Sequence, residues 1–138
     1  MEEFYSISKN ETMNIARNFA KTLKVGDIVL IDGDLGAGKT VFSKGIVAYF
    51  SNDEIIATSP TFVIVNAYNT TPPIYHFDLY RITDESELYA IGAEEYFFGD
   101  GISLVEWPLR AEGFFPVSTI KVFIEKINDN ERKIIIRR

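Results

Sequence analysis

The fold class that this sequence predicts is α/β: a mixed, mostly parallel sheet flanked by helices and carrying antiparallel hairpins. Three observations lead to it. The uninterrupted apolar run Ile28-Val29-Leu30-Ile31 has the character of a strand buried on both faces. The glycine-rich segment Gly33 to Thr40 follows at once, and Val41, Phe42, Gly45, Ile46 and Tyr49 then recur at helical spacing. Further on, β-branched and aromatic segments come in pairs separated by turn residues, the pattern of hairpins. With 138 residues, no repeats and no linker, the chain reads as one domain over 1–138.

Taken in order, Ser8-Lys9-Asn10-Glu11 has the spacing of a capping box, with Ser8 as N-cap. Ile15, Ala16, Phe19, Ala20 and Leu23 form the apolar stripe of the helix it opens, and Gly26 is expected to stop it. The first strand and the helix after the glycine-rich loop follow, ending near Ser51-Asn52. Residues Thr61 to Tyr68 and Ile74 to Tyr80 read as an antiparallel hairpin closed by Asn69-Thr70-Thr71-Pro72-Pro73. Asp84 to Glu87 opens a short helix to about Ile91. Asp100-Gly101 turns the chain into a second apolar strand, Ile102 to Glu106, which Pro108 ends. Ile120, Val122 and Ile124 alternate with Lys121 and Glu125, and Asn128-Asp129-Asn130 turns them into Lys133 to Arg137 as a C-terminal hairpin.

The segment Gly33-Asp34-Leu35-Gly36-Ala37-Gly38-Lys39-Thr40 fits the phosphate-loop pattern of a glycine, four residues and Gly-Lys-Thr, in the strand–loop–helix order that the pattern requires. Glycines at 33, 36 and 38 let backbone N–H groups converge on phosphate oxygens, and the new helix adds the positive end of its dipole. Lys39 would reach the β- and γ-phosphates, and the Thr40 hydroxyl would take a place on Mg²⁺. The fold expected is therefore that of the P-loop nucleoside triphosphatases.

Such a loop needs acidic partners. Glu106 closes an apolar strand; if that strand is the parallel neighbour of the first, Glu106 ends within metal reach of Thr40. Otherwise it is a solvated glutamate at a strand end. Asp78 sits in the aromatic strand segment His76-Phe77-Asp78-Leu79-Tyr80-Arg81, where burial without a partner costs several kcal/mol. A cation, a bound water or Arg81 would satisfy it. Thr61, after Ser59-Pro60, is either a strand-opening residue or a switch threonine sensing the γ-phosphate. Trp107 is either a core residue or a stacking and partner-contact residue beside the site.

Composition narrows the function. A net charge of −6 argues against a protein that grips RNA or DNA by itself. The absence of cysteine excludes disulfides and thiolate zinc, and the single histidine, His76, excludes a His-rich metal centre. With no signal-peptide pattern and no apolar run of membrane-spanning length, a cytoplasmic protein is expected. Neither an Asn-Lys-x-Asp guanine motif nor a transporter-type signature is present, and Arg81 and Arg110 are the only mid-chain arginines. ATP hydrolysis is thus favoured over GTP hydrolysis or small-molecule kinase chemistry. The kinase and a nucleotide-gated binding module with incidental hydrolysis are the rival readings.

Four blocks in order, Gly33 to Thr40, Ser59-Pro60-Thr61-Phe62, His76-Phe77-Asp78-Leu79-Tyr80-Arg81 and Leu104-Val105-Glu106-Trp107-Pro108, resemble the bacterial TsaE (YjeE) family. The resemblance runs from the capping box to the C-terminal hairpin. It implies an ATPase of tRNA threonylcarbamoyl-adenosine modification that needs Mg²⁺, is slow alone and acts with TsaB and TsaD, meeting tRNA through that complex. By the same resemblance Thr40 and Glu106 hold the metal, Asp78 is essential and Trp107 is functionally important. Lys9 and Arg132 would lie near the nucleotide base.

Overall fold

The computed structural model describes residues 1–57, 64–116 and 118–138. Among them the strands are β1 Glu2–Ser6, β2 Ile28–Gly33, β3 Val65–Tyr68, β4 Ile74–Asp78, β5 Ile102–Glu106, β6 Ile120–Lys126 and β7 Arg132–Arg137. The helices are α1 Lys9–Ala20, α2 Lys39–Phe50, α3 Ser86–Ala90 and α4 Ala93–Phe97, with a 3₁₀ segment at Pro108–Phe114. All seven strands form one sheet in the order β1-β7-β6-β2-β5-β4-β3. The four central strands run parallel, and β1, β7 and β3 add antiparallel neighbours at the two sides. The mixed α/β sheet with hairpins is therefore present as the sequence predicts.

The central strands are buried on both faces, which is why β2 reads as a continuous apolar run rather than an alternation. Val29 and Ile31 face a core shared with Phe19, Phe42 and Ile46 of α1 and α2. Ile28 and Leu30 face a second core built from Phe77, Leu88, Phe97 and Val105, roofed by α3, α4 and the 3₁₀ segment. Helices α1 and α2 meet at Gly45, where a Cβ would lie 2.6 Å from the Ala16 Cβ and 2.7 Å from the Met13 carbonyl. This close approach brings the start of α1 to the glycine-rich loop.

Most elements fall where the sequence places them. Ser8 caps α1, its hydroxyl accepting the Glu11 N–H at 3.1 Å. The helix stops earlier than Gly26, at Ala20, where the Thr22 and Leu23 N–H groups bond the carbonyls three residues back, both at 3.0 Å, and the Thr22 hydroxyl also donates to the Phe19 carbonyl at 2.7 Å. Leu23 still reaches the core from that turn. The 69–73 loop joins β3 to β4 with Val65 opposite Phe77 and Tyr68 opposite Ile74. Three elements have no counterpart in the sequence reading: β1, α4 and the 3₁₀ segment Pro108–Phe114, where Pro108 is expected only to end β5. Strand β1 is an edge strand of largely polar residues, held by pairing with β7; α4 is a single turn that starts at Gly92 and buries Ala93 and Phe97.

Candidate functional site: a phosphate loop at the carboxyl ends of three parallel strands

The topology brings three strand ends together. Ile31 of β2 stands opposite Glu106 of β5, and Glu106 stands opposite Asp78 of β4. The loop after β2 thus opens on the sheet edge where β5 and β4 deliver their carboxylates, the edge at which ligands of open α/β sheets bind. A cleft of roughly 750 Å³ lies there, within the range usual for small-molecule sites. Its walls include Lys9, Leu35 to Val41, Asp78, Glu106, Trp107 and Arg132. Gly33 and Asp34 are not among its lining residues and contribute backbone behind it. Thr61 lies outside the described residues.

The loop has the backbone that a phosphate cradle needs. Gly36 and Gly38 sit at φ +78° and +108°, in the left-handed region that side chains avoid. Gly38 is also the N-cap residue of α2 and has no side chain to cap it. The N–H groups of that first turn are therefore left for a ligand, with the helix dipole behind them.

Lys39 is almost fully buried. Its ammonium donates to the Gly33 carbonyl at 2.6 Å and the Asp34 carbonyl at 2.8 Å. The Trp107 ring lies 3.9 Å from the same nitrogen. Burial lowers its pKa below the ordinary lysine value, opposed by the carboxylates of Glu106, Asp32, Asp34 and Asp78. A cation desolvated in this way gains strongly from an anion placed in the cleft.

Glu106 is 2% exposed. One carboxylate oxygen accepts the Thr40 hydroxyl at 3.1 Å; the other is hydrogen-bonded to Nε2 of His76. The conditional expectation for Glu106 is met: its strand is the parallel neighbour of β2, and its side chain meets Thr40. Asp78 accepts the Tyr80 N–H at 3.0 Å at the lip of the cleft. Trp107 has φ +60° and ψ +50°, a left-handed conformation costing about 1–2 kcal/mol for a non-glycine residue. That turn starts the 3₁₀ segment and lays the indole between Lys39 and Tyr80, whose ring centroid is 4.8 Å away.

His76 is the site residue that the sequence reading left out. It is wholly buried, its Nε2 is hydrogen-bonded to Glu106, and among the described residues its Nδ1 has no hydrogen-bond partner. Its signal in the sequence was modest: the lone histidine, on the same strand face as Asp78. Arg132, expected near the base, lines the cleft beside the loop. Its guanidinium donates to the carbonyls of Ala37 and Gly36, at 2.7 and 3.2 Å, on the loop itself.

Thr40 and Glu106 offer hard oxygen donors of the kind Mg²⁺ takes when substrate phosphates and water complete its shell. Among the described residues there is no group of three or more acidic, histidine or cysteine side chains able to hold a metal by itself. The donor set therefore fits a metal that is shared with a phosphate ligand.

Sheet order, glycine-rich loop and carboxyl-edge cleft together define an α/β protein of the phosphate-loop kind. Comparison with known proteins narrows this. The profile of the family described as threonylcarbamoyl adenosine biosynthesis protein TsaE matches residues 6–134, and the chain belongs to that family. Among its relatives, the tRNA threonylcarbamoyladenosine biosynthesis protein TsaE of Bacillus subtilis is 42% identical over 94% of this chain and 80% of that protein. The protein of the same name from Treponema pallidum is 32% identical over 95% of this chain and 96% of its own. The crystal structure of Bacillus subtilis YdiB superposes with a TM-score of 0.80 at 34% identity, covering 96% of this chain and 82% of that one.

Proposed function

We propose that this protein binds ATP with Mg²⁺ in the cleft above the Gly33–Thr40 loop and hydrolyses it in support of tRNA threonylcarbamoyladenosine formation. The observation that carries the reading is the convergence of Thr40, at the start of α2, with Glu106, at the end of β5, at 3.1 Å. Residues 66 positions apart bring two hard oxygen donors together beside the loop, a coincidence that a purely structural glycine turn does not require. The names of the family and of its relatives point to the pathway. The negative net charge favours action through partner proteins, here TsaB and TsaD, over direct grip on tRNA. A cytoplasmic location fits that role.

In this mechanism the loop N–H groups and Lys39 hold the triphosphate and meet the charge that develops on the transferred phosphoryl group. Trp107 covers the Lys39 ammonium and limits its hydration. Thr40 and Glu106 would hold Mg²⁺, which when bound would supply charge neutralisation at the phosphate oxygens. Both Glu106 oxygens already accept hydrogen bonds, from Thr40 and His76. With Glu106 given to the metal, orientation of the attacking water is assigned to Asp78, its neighbour across the β4–β5 register at the lip of the cleft.

The test is phosphate release from ATP with Mg²⁺, alone and with TsaB, TsaD and tRNA. Slow turnover that rises on adding the partners is expected, with Asp78→Ala retaining ATP binding and losing hydrolysis. Turnover absent under both conditions, or an Asp78→Ala variant hydrolysing at the wild-type rate, contradicts the assignment.

A further inference from the structure

Arg132 opens β7, yet among the described residues its side chain hydrogen-bonds only to backbone carbonyls. Nε donates to Ala37 at 2.7 Å and one terminal nitrogen to Gly36 at 3.2 Å. The other terminal nitrogen donates to Asn128 at 2.6 Å and Glu131 at 3.0 Å. One planar guanidinium therefore ties two carbonyls of the phosphate loop to two carbonyls of the β6–β7 turn. The turn is itself braced, because the Asn128 side chain accepts the N–H groups of Asn130 and Glu131 at 3.0 and 2.9 Å.

The geometry bears on phosphate binding through the peptide planes. In a loop whose N–H groups converge on an anion, the carbonyls must point outward. With Gly36 and Gly38 in the loop, the free backbone has many other conformations within reach. Engaging the outward carbonyls of residues 36 and 37 restricts that freedom before a ligand arrives, and a pre-organised site loses less entropy on binding.

We propose that Arg132 is a positioning residue: a strut between the β6–β7 turn and the phosphate loop that holds the loop's N–H groups toward the phosphate. This rests on the reading that the loop binds a triphosphate, and it assigns Arg132 to the phosphate end of the ligand rather than to its base. Lysine cannot replace arginine here, since a single ammonium cannot reach both pairs of carbonyls in a plane.

Calorimetric titration of the full chain with Mg–ATP and with Mg–tripolyphosphate, which has no base, tests the strut. Arg132→Lys keeps the charge and the aliphatic stem, so it isolates the fork geometry; Arg132→Ala removes both. Arg132→Lys is expected to weaken both ligands by the same factor, about tenfold for two lost loop hydrogen bonds. Arg132→Ala is expected to weaken both further. Loss of ATP affinity with tripolyphosphate unchanged would mean a base contact and overturn the strut. Unchanged affinity for both ligands in Arg132→Lys, with only a lower melting temperature, would reduce Arg132 to a structural residue and overturn it as well. Should Arg132→Ala fail to fold, Arg132→Lys carries the test alone. A wild-type chain that binds neither ligand overturns the phosphate-loop reading itself, a result distinct from those two.

Discussion

Glu106 is buried beneath the cleft with one oxygen on Thr40 and the other on His76. A carboxylate so placed can present a lone pair to a metal only if its rotation is blocked, and His76 blocks it. Residues that hydrogen-bond a metal ligand and fix its orientation typically change metal affinity by about 10- to 100-fold. Replacing His76 by Phe keeps the bulk and removes the donor. It is expected to raise the Mg²⁺ concentration for half-maximal ATP hydrolysis by about tenfold, with His76→Gln recovering part of the loss through its amide N–H. A Mg²⁺ titration of hydrolysis checks this; an unchanged midpoint in His76→Phe contradicts it. Legibility at this scale followed sequence distance. The loop residues could be read because they are contiguous, and Glu106 because it ends an apolar strand. His76 could not, because its role depends on β4 lying beside β5 in one register, with His76 opposite Leu104. Arg132 was legible as a site residue only through resemblance, and its contacts arise from a hairpin folding back onto a loop about 95 residues away.

Among the elements, the α1–α2 pair sets the shape of the cleft, because α2 starts at the loop and α1 starts at Lys9 on the cleft wall. Their contact depends on Gly45, where added side-chain atoms meet the Met13 carbonyl and the Ala16 methyl at under 3 Å. Glycine inside a helix costs roughly 0.5–1 kcal/mol relative to alanine, so propensity favours replacing it. Overpacking costs about 1–3 kcal/mol and here runs into backbone, so the steric effect wins. Gly45→Val is expected to lower the unfolding free energy by about 1–3 kcal/mol, measured by urea denaturation; equal or greater stability contradicts the close-packed arrangement. The elements that could be read from the sequence are those whose burial imprints a pattern. Helices α1 and α2 show the helical repeat and β6 the alternation of a hairpin, while β2 and β5, buried on both faces, are read instead as continuous apolar runs. Strand β1 has little apolar content because it lies at an edge and is held by backbone pairing with β7, and α4 is too short to display a helical repeat.

At the scale of the molecule, sheet order turns local motifs into a site. Placing β2 beside β5, and β5 beside β4, carries the loop, Glu106 and Asp78 to one edge. The mixed α/β class was legible from the strand–loop–helix succession and the hairpin turns. The neighbours within the hairpins were legible too, but those of the parallel strands were not, and the sequence left the parallel pairing of β2 with β5 as a condition. The −6 net charge also acts at this scale, since triphosphate must approach an acidic protein. Under the proposed function the attraction is local, supplied by Lys39, the start of α2 and a metal rather than by a basic surface. The measurement that bears most directly on this is calorimetric titration of Mg–ATP into the wild-type chain and into Lys39→Ala. The expected result is saturable binding by the wild type and an affinity at least about tenfold weaker in the variant, the loss of one charge-assisted hydrogen bond to phosphate. Equal affinity in the two proteins, or no binding by the wild type, would contradict a phosphate site at Gly33–Thr40.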